Sequence, residues 1–224
     1  MKRPQTIKAV LFDLDGTLLD TLQDLANAMN HTLAANGLPQ HDLAAYRRKV
    51  GNGMRKLAER SVPDAADTAT VDRVLDAFMA YYRLHATDCT APYAGIREML
   101  AAVKRTGVKM YVISNKSEPE AIEIVGSIFG KDMFDAVYGT VAGRPTKPAP
   151  DSCFLALAQA GCEQGEAVFV GDSEVDVQTA IAAGLYGIGV TWGFREEAEL
   201  IAASADIIVH TADELTRELV GLAG

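Results

Sequence analysis

Ile7-Lys8-Ala9-Val10-Leu11-Phe12-Asp13-Leu14-Asp15-Gly16-Thr17 is the stretch that decides how this chain reads. The run from Ile7 to Phe12 is apolar apart from Lys8 and stops at an acid, the pattern of a buried strand in a parallel sheet. Two carboxylates two positions apart at such a strand end raise each other's cost of ionisation, so they require a cation or a shared proton. Gly16 lets the backbone turn directly after them.

Working outward, short apolar runs recur at Met110 to Ile113, Ala136 to Val141, Ala167 to Val170, Tyr186 to Val190 and Ile207 to Val209. Helical patterns lie among them: Ile96 to Thr106, Glu118 to Ile128, Cys153 to Ala160, Val175 to Ala183 and Glu196 to Ala203, with a closing helix at Asp213 to Leu222. This alternation predicts an α/β fold, a doubly wound, mostly parallel sheet with right-handed crossovers. Residues 21–90 break the rhythm. They carry no convincing strand and three or four helical stretches separated by turns such as Asn36-Gly37-Leu38-Pro39 and Val62-Pro63-Asp64. The chain is therefore expected to consist of a core, residues 1–20 and 91–224, with a small all-helical domain, 21–90, inserted after the first strand.

With 224 residues, 49% of them hydrophobic and 23% charged, the chain can bury one good core and a smaller second one. A net charge of −9 opposes nucleic-acid backbones and anionic membranes. It also means that an anionic substrate must be drawn in by local cations or a metal. Cys89, Cys153 and Cys162 have no metal or disulfide spacing and read as free thiols. The absence of a secretory signal or of an apolar stretch long enough to span a bilayer predicts a cytoplasmic protein, with monomer and homodimer both left open by the sequence.

Polar clusters fall at the C-terminal ends of the expected strands, the edge where open α/β sheets bind ligands. Asp13 ends the first, Ser114-Asn115-Lys116 follows the second, Gly171-Asp172-Ser173 follows Val170, and Lys147 lies in the loop Arg144 to Pro148. Each has a plainer structural reading. Asp20 with Gln23, Ser117 with Glu120 and Ser173 with Asp176 fit helix capping boxes, and Lys147-Pro148-Ala149-Pro150-Asp151 fits a rigid helix entry.

Asp13-Leu14-Asp15-Gly16-Thr17-Leu18-Leu19-Asp20 resembles the DxDGTxxxD signature of the haloacid dehalogenase superfamily. Ser114, Lys147 in Lys-Pro-Ala-Pro-Asp, and Gly171-Asp172-Ser173-Glu174-Val175-Asp176 resemble its remaining motifs in the same order. The resemblance implies a Rossmann-like core and a phosphatase acting on a small phosphorylated metabolite. By it, Asp13 is the nucleophile forming an aspartyl phosphate, Asp15 is the acid-base, and Mg²⁺ is held by Asp13, the carbonyl of Asp15 and Asp172, with Asp176 supporting the metal from behind. Ser114, Asn115 and Lys147 bind the phosphoryl group. Because the family's dehalogenases lack a carboxylate at the place of Asp15, carbon–halogen cleavage is a poor expectation.

The resemblance also makes the insertion a mobile cap that selects the substrate. Asp20-Thr21-Leu22-Gln23-Asp24-Leu25 and Val50-Gly51-Asn52-Gly53 look like the phosphoglycolate phosphatase branch. Asn52, Gly53 and Arg55 are its candidate substrate residues, Arg55 for a substrate carboxylate, while Asn52-Gly53 is also readable as a plain turn and Arg55 as a solvated helix residue. The loop Trp192-Gly193-Phe194-Arg195 resembles one near the site in that branch, and is equally readable as an apolar contact. His31 and His85, with no acidic partner evident, read as surface or packing residues. A sugar-phosphate mutase or pyrophosphatase would share the motifs, though Gly171 stands where such mutases tend to carry an acid. A phosphoacceptor signalling domain would be near half this length and lack the insertion.

Overall fold

The computed structural model describes all residues from Met1 to Gly224. The chain forms two compact units, Met1–Leu19 with Pro92–Gly224, and Asp20–Ala91. It begins in β1 (Ala9–Phe12) and leaves the first unit along β2 (Leu19–Asp20). Four helices follow, α1 (Leu22–Ala35), α2 (Leu43–Lys49), α3 (Met54–Ser61) and α4 (Thr68–His85), and β3 (Ala91–Pro92) leads back. Then come α5 (Ile96–Arg105), β4 (Lys109–Ser117), α6 (Glu118–Phe129), β5 (Ala136–Thr140), α7 (Asp151–Ala160), β6 (Ala167–Gly171), α8 (Glu174–Ala183), β7 (Tyr186–Val190), α9 (Glu197–Ala202), β8 (Ile207–Val209) and α10 (Ala212–Leu222).

Six strands build one sheet in the order β5-β4-β1-β6-β7-β8, every neighbouring pair parallel. This is the expected doubly wound architecture. After β1 the chain runs outward through β4 and β5, then returns to the other side of β1 to lay down β6, β7 and β8. The order thus reverses at β1, and ligands bind at such reversals, outside the carboxyl ends of the strands. All four residues of β1 are buried, as a strand covered on both faces requires. Side chains alternate across the sheet. Ala9 and Leu11 join Tyr111, Phe169 and Ala156 in one apolar cluster, while Phe12 meets Phe134 edge-on at 6.4 Å. Burying a residue such as Phe12 is worth about 1.5–3 kcal/mol.

Three details differ from the sequence reading. β4 runs on to Ser117, because the polar residues after Ile113 stay near β5 through an irregular ladder. Between Ile113 and Ser117, four steps along β4 match only two along β5, from Tyr138 to Thr140, so residues 114–116 bulge out of the sheet. Asp20 and Gln23 form no capping box: α1 starts after Thr21, Asp20 accepts from Leu22 N at 3.3 Å, and Gln23 donates to Asn27 at 2.8 Å. Ser117 and Glu120 bond side chain to side chain at 2.6 Å rather than reciprocally with the backbone.

In the helical unit, α2 and α4 are capped by Asp42 and Asp67, which accept from Ala45 N and Thr70 N. Its buried residues include Met29, Leu33, Tyr46, Leu57, Val74 and Phe78. Asp24, in the first turn of α1, accepts from the backbone N–H of Cys89 and of Thr90 at 2.8–3.0 Å. One carboxylate thus ties the last residues of this unit to its first helix.

Candidate active site

The site grows from three strand ends. Asp13 follows β1, its N–H donating to Val170 O of β6 at 2.9 Å, and the chain then closes a tight loop. Leu18 N and Leu19 N both donate to Leu14 O, and Gly16 N donates to Leu19 O. Gly16 has φ +93°, and a Cβ there would lie 2.4 Å from the Asp172 carboxylate. Asp172 follows β6, so the two acids converge because β1 and β6 are adjacent and in register.

Lys147 comes from the loop before α7, across a cis Lys147–Pro148 peptide. Its Nζ lies 2.7 Å from Asp13 Oδ1 and 2.6 Å from Asp176 Oδ1. The other Asp176 oxygen accepts from Ser173 N and Oγ at 3.1 and 2.6 Å. The capping box expected at the start of α8 is therefore real, and the same carboxylate also anchors Lys147. Asp13, Asp172 and Asp176 each place an oxygen within 4.8 Å of the others, all buried.

Electrostatics sharpen this cluster. Burial, with Asp176 and Asp172 adding to it, holds the Asp13 carboxyl well above the usual range despite the pull of Lys147. Burial and Asp176 push Asp172 up to about 7, against the Phe194 N–H, the Thr17 hydroxyl and Lys147. For Lys147 burial disfavours the charge, yet Asp13 and Asp176 outweigh it and the ammonium is held above its ordinary range. Two acids share one lysine and a third stands beside them, leaving the cluster short of positive charge.

That deficit suits a hard divalent cation, which takes oxygen ligands. Asp13, Asp172 and Asp176 are the side chains whose oxygens lie close enough together to share one, and of these Asp176 is the one bonded to both Lys147 and Ser173. Asp172 is itself fixed: Oδ1 accepts from Thr17 Oγ1 at 3.0 Å and Oδ2 from Phe194 N at 2.8 Å. The loop after β7 supplies that N–H. Trp192 Nε1 donates to Thr17 O at 3.0 Å, and a Cβ on Gly193 would lie 2.3 Å from that of Asp172. The sequence places Thr17 in the first motif and the Trp192–Arg195 loop near the site by resemblance, but gives Thr17, Gly193 and the Phe194 amide no role there, because their partner Asp172 is distant along the chain from each of them.

Ser114, Asn115 and Lys116 occupy the bulge at the end of β4. Ser114 Oγ accepts from Lys116 N at 3.1 Å, which leaves its O–H able to donate. Asn115 Nδ2 donates to Lys147 O at 3.1 Å, tying the bulge to the lysine loop. Lys116 Nζ stands 3.4 Å from Asp15 Oδ1. The structure thus brings Asp13, Asp15, Ser114, Asn115, Lys147, Asp172 and Asp176 to one edge of the sheet.

In the helical unit, Asn52 and Gly53 lie between α2 and α3. Gly53 has φ +86°, and Asn52 Oδ1 accepts from Arg60 NH2 at 2.8 Å. Arg55 pairs with Asp72 at 2.7 Å, both side chains about half exposed, so its guanidinium is already committed to a carboxylate. His85 does have an acidic partner, Asp88 at 2.7 Å, three residues on and past the end of α4. It also stacks on Tyr81, which stacks on His31.

Comparison with known proteins agrees with this arrangement. Residues 10–190 match the family model described as haloacid dehalogenase-like hydrolase. A phosphoglycolate phosphatase of Mesorhizobium japonicum is 33% identical over 222 residues, covering 98% of this chain and 96% of its own. One of Pseudomonas putida is 34% identical over 226 residues, covering 96% and 80%. A crystal structure from Lactobacillus delbrueckii subsp. bulgaricus, of a protein assigned by prediction to the phosphoglycolate phosphatases, superposes with a TM-score of 0.90. It is 32% identical, over 96% of this chain and 98% of its own. With a parallel sheet of the right order, the acids and lysine at its carboxyl edge, and a family match across most of its length, the chain belongs to the haloacid dehalogenase-like hydrolases.

Proposed function

We propose that this protein is a phosphatase that hydrolyses a small phosphate monoester, phosphoglycolate being favoured, through an aspartyl phosphate on Asp13. The observation that carries this reading is the Lys147 ammonium, 2.7 Å from Asp13 and 2.6 Å from Asp176, with Asp172 alongside. A carboxylate attacks a phosphate dianion only where charge is offset, and this lysine offsets it on the nucleophile itself.

In the first step an Asp13 oxygen bonds to phosphorus as the ester P–O bond breaks, and Asp15 passes its proton to the departing alkoxide. In the second, Asp15 takes a proton from water, whose oxygen bonds to phosphorus as the Asp13–phosphorus bond breaks. The alcohol leaves first and inorganic phosphate second, and both acids are restored. The Ser114 hydroxyl donates to a phosphoryl oxygen, and Asn115 holds the Lys147 loop. Bound Mg²⁺, with Asp13, Asp172 and the Asp15 carbonyl as its protein ligands, would neutralise charge between carboxylate and phosphoryl oxygens.

The choice of phosphoglycolate rests on the names of the relatives above. In this reading the helical unit is the cap that selects it, with Asn52, Gly53 and Arg55 the residues to vary first. Phosphate release should be measured from phosphoglycolate, hexose phosphates, nucleotides and pyrophosphate, with Mg²⁺ and with chelator. Release from phosphoglycolate that needs Mg²⁺ and vanishes in Asp13→Asn supports the proposal. Activity that survives chelation or the substitution sinks it, and an isomeric phosphate ester as sole product would mark a mutase.

A further inference from the structure

A second buried lysine serves the other acid of the pair. The Lys116 side chain is 0% exposed and its Nζ lies 3.4 Å from Asp15 Oδ1, while the Asp15 side chain is 20% exposed. Lysine is almost never fully buried unless paired. Asp15 Oδ1 is buried and has no hydrogen-bond partner, so the ammonium faces it as a charge. The lysine backbone is held as well. Its N–H donates to Ser114 Oγ, Thr140 Oγ1 donates to the adjoining Asn115 O at 3.0 Å, and a Cβ on Gly139 would lie 2.7 Å from Lys116 O. The strand bulge therefore presents the ammonium from a fixed base.

We propose that Lys116 is a positioning residue for Asp15, holding that carboxyl in the orientation from which it reaches the leaving-group oxygen. The proposal rests on the phosphomonoesterase reading above and deepens it. Each acid of the strand-end pair has its own lysine, Lys147 for Asp13 and Lys116 for Asp15, and the two come from different segments, the loop before α7 and the bulge in β4. The division follows from the chemistry, since Asp13 needs charge offset during attack and Asp15 needs a fixed direction for proton transfer.

The test uses leaving groups. kcat/KM reports events up to departure of the alcohol, and general acid catalysis at that point is worth ~10²–10⁴-fold for an alkoxide. An aryl phosphate such as p-nitrophenyl phosphate departs without that proton. Lys116→Met should lower kcat/KM for both glycerol 3-phosphate and phosphoglycolate by about 10–100-fold, leaving p-nitrophenyl phosphate within about threefold. Lys116→Arg, which keeps the charge, should recover part of the loss and serves as the test if the Met variant fails to fold. Equal losses on alkyl and aryl esters, or none, would overturn the proposal. Loss confined to phosphoglycolate would also overturn it, because Lys116 would then be reading the substrate carboxylate. A wild-type protein inert on every ester would overturn the phosphatase reading and this inference with it, and no variant is needed to see that.

Discussion

Asp176 fills the space that any side chain at Gly171 would need: a Cβ on Gly171 would lie 2.2 Å from that of Asp176. The two positions are thus sterically exclusive, and the acid that balances Lys147 can come from residue 176 only while residue 171 is glycine. Gly171→Ala should displace Asp176, loosen Lys147 and lower kcat/KM by about 10²-fold, the usual consequence of misplacing such a group. Gly171→Asp should be more active in an Asp176→Gly background, which removes the clashing Cβ, than alone. Additive losses in that double-mutant cycle would refute the exclusion.

Asp13, proposed above as the nucleophile, carries an opposed cost in stability. Asp13 sits where burial and two neighbouring acids disfavour its charge. Asp13→Asn should abolish turnover yet raise the melting temperature in chelator by about 2–4 °C per kcal/mol of relieved repulsion. Calorimetry beside the phosphate assay checks both halves; a variant that loses activity and also melts earlier would contradict the account.

Cation binding should depend on pH in a definite direction. Asp172, pushed up to about 7, binds a proton more readily folded than unfolded, where the ordinary value is 3.8. Its contribution to the stability of the metal-free protein is therefore greatest at low pH and is lost as pH rises from about 4 to about 7. Asp13 shifts in the same direction. The Mg²⁺-induced rise in melting temperature should accordingly grow between pH 5 and pH 8. A rise that is absent, or flat across that range, would rule out this cluster as the cation site.

The Thr17 side chain reaches the cluster through its hydroxyl, which donates to Asp172. Thr17→Val keeps the shape and removes the hydrogen bond, so Mg²⁺ activation should need about 10–100-fold more metal, as for other groups behind metal ligands. Saturating Mg²⁺ should restore most of kcat. Failure to restore it would point to a role beyond holding Asp172.

Asp24 gives a test independent of catalysis. Asp24→Ala leaves the amides of Cys89 and Thr90 without their carboxylate, at about 1.5–3 kcal/mol for hydrogen bonds to a charged group. Thermal melting should fall accordingly. An unchanged melting temperature would mean that water replaces the carboxylate without cost.

The sequence by itself determined the sheet and most of its edge. Apolar runs such as Val10-Leu11-Phe12 and Val168-Phe169-Val170 are fixed by burial on both faces, a local property of composition, and both became neighbouring parallel strands. Asp13, Ser114, Lys147 and Asp172 were legible because each follows such a run or sits in a short motif. Tertiary structure alone decided what these residues do to one another. That Asp176 anchors Lys147 as well as capping α8, that Gly16 and Gly193 wall in Asp172, and that Lys116 turns toward Asp15 all depend on contacts between segments far apart in the chain. Periodicity and spacing describe neighbours along the chain. The charge balance of the Asp13-Leu14-Asp15 edge is set by neighbours across the sheet.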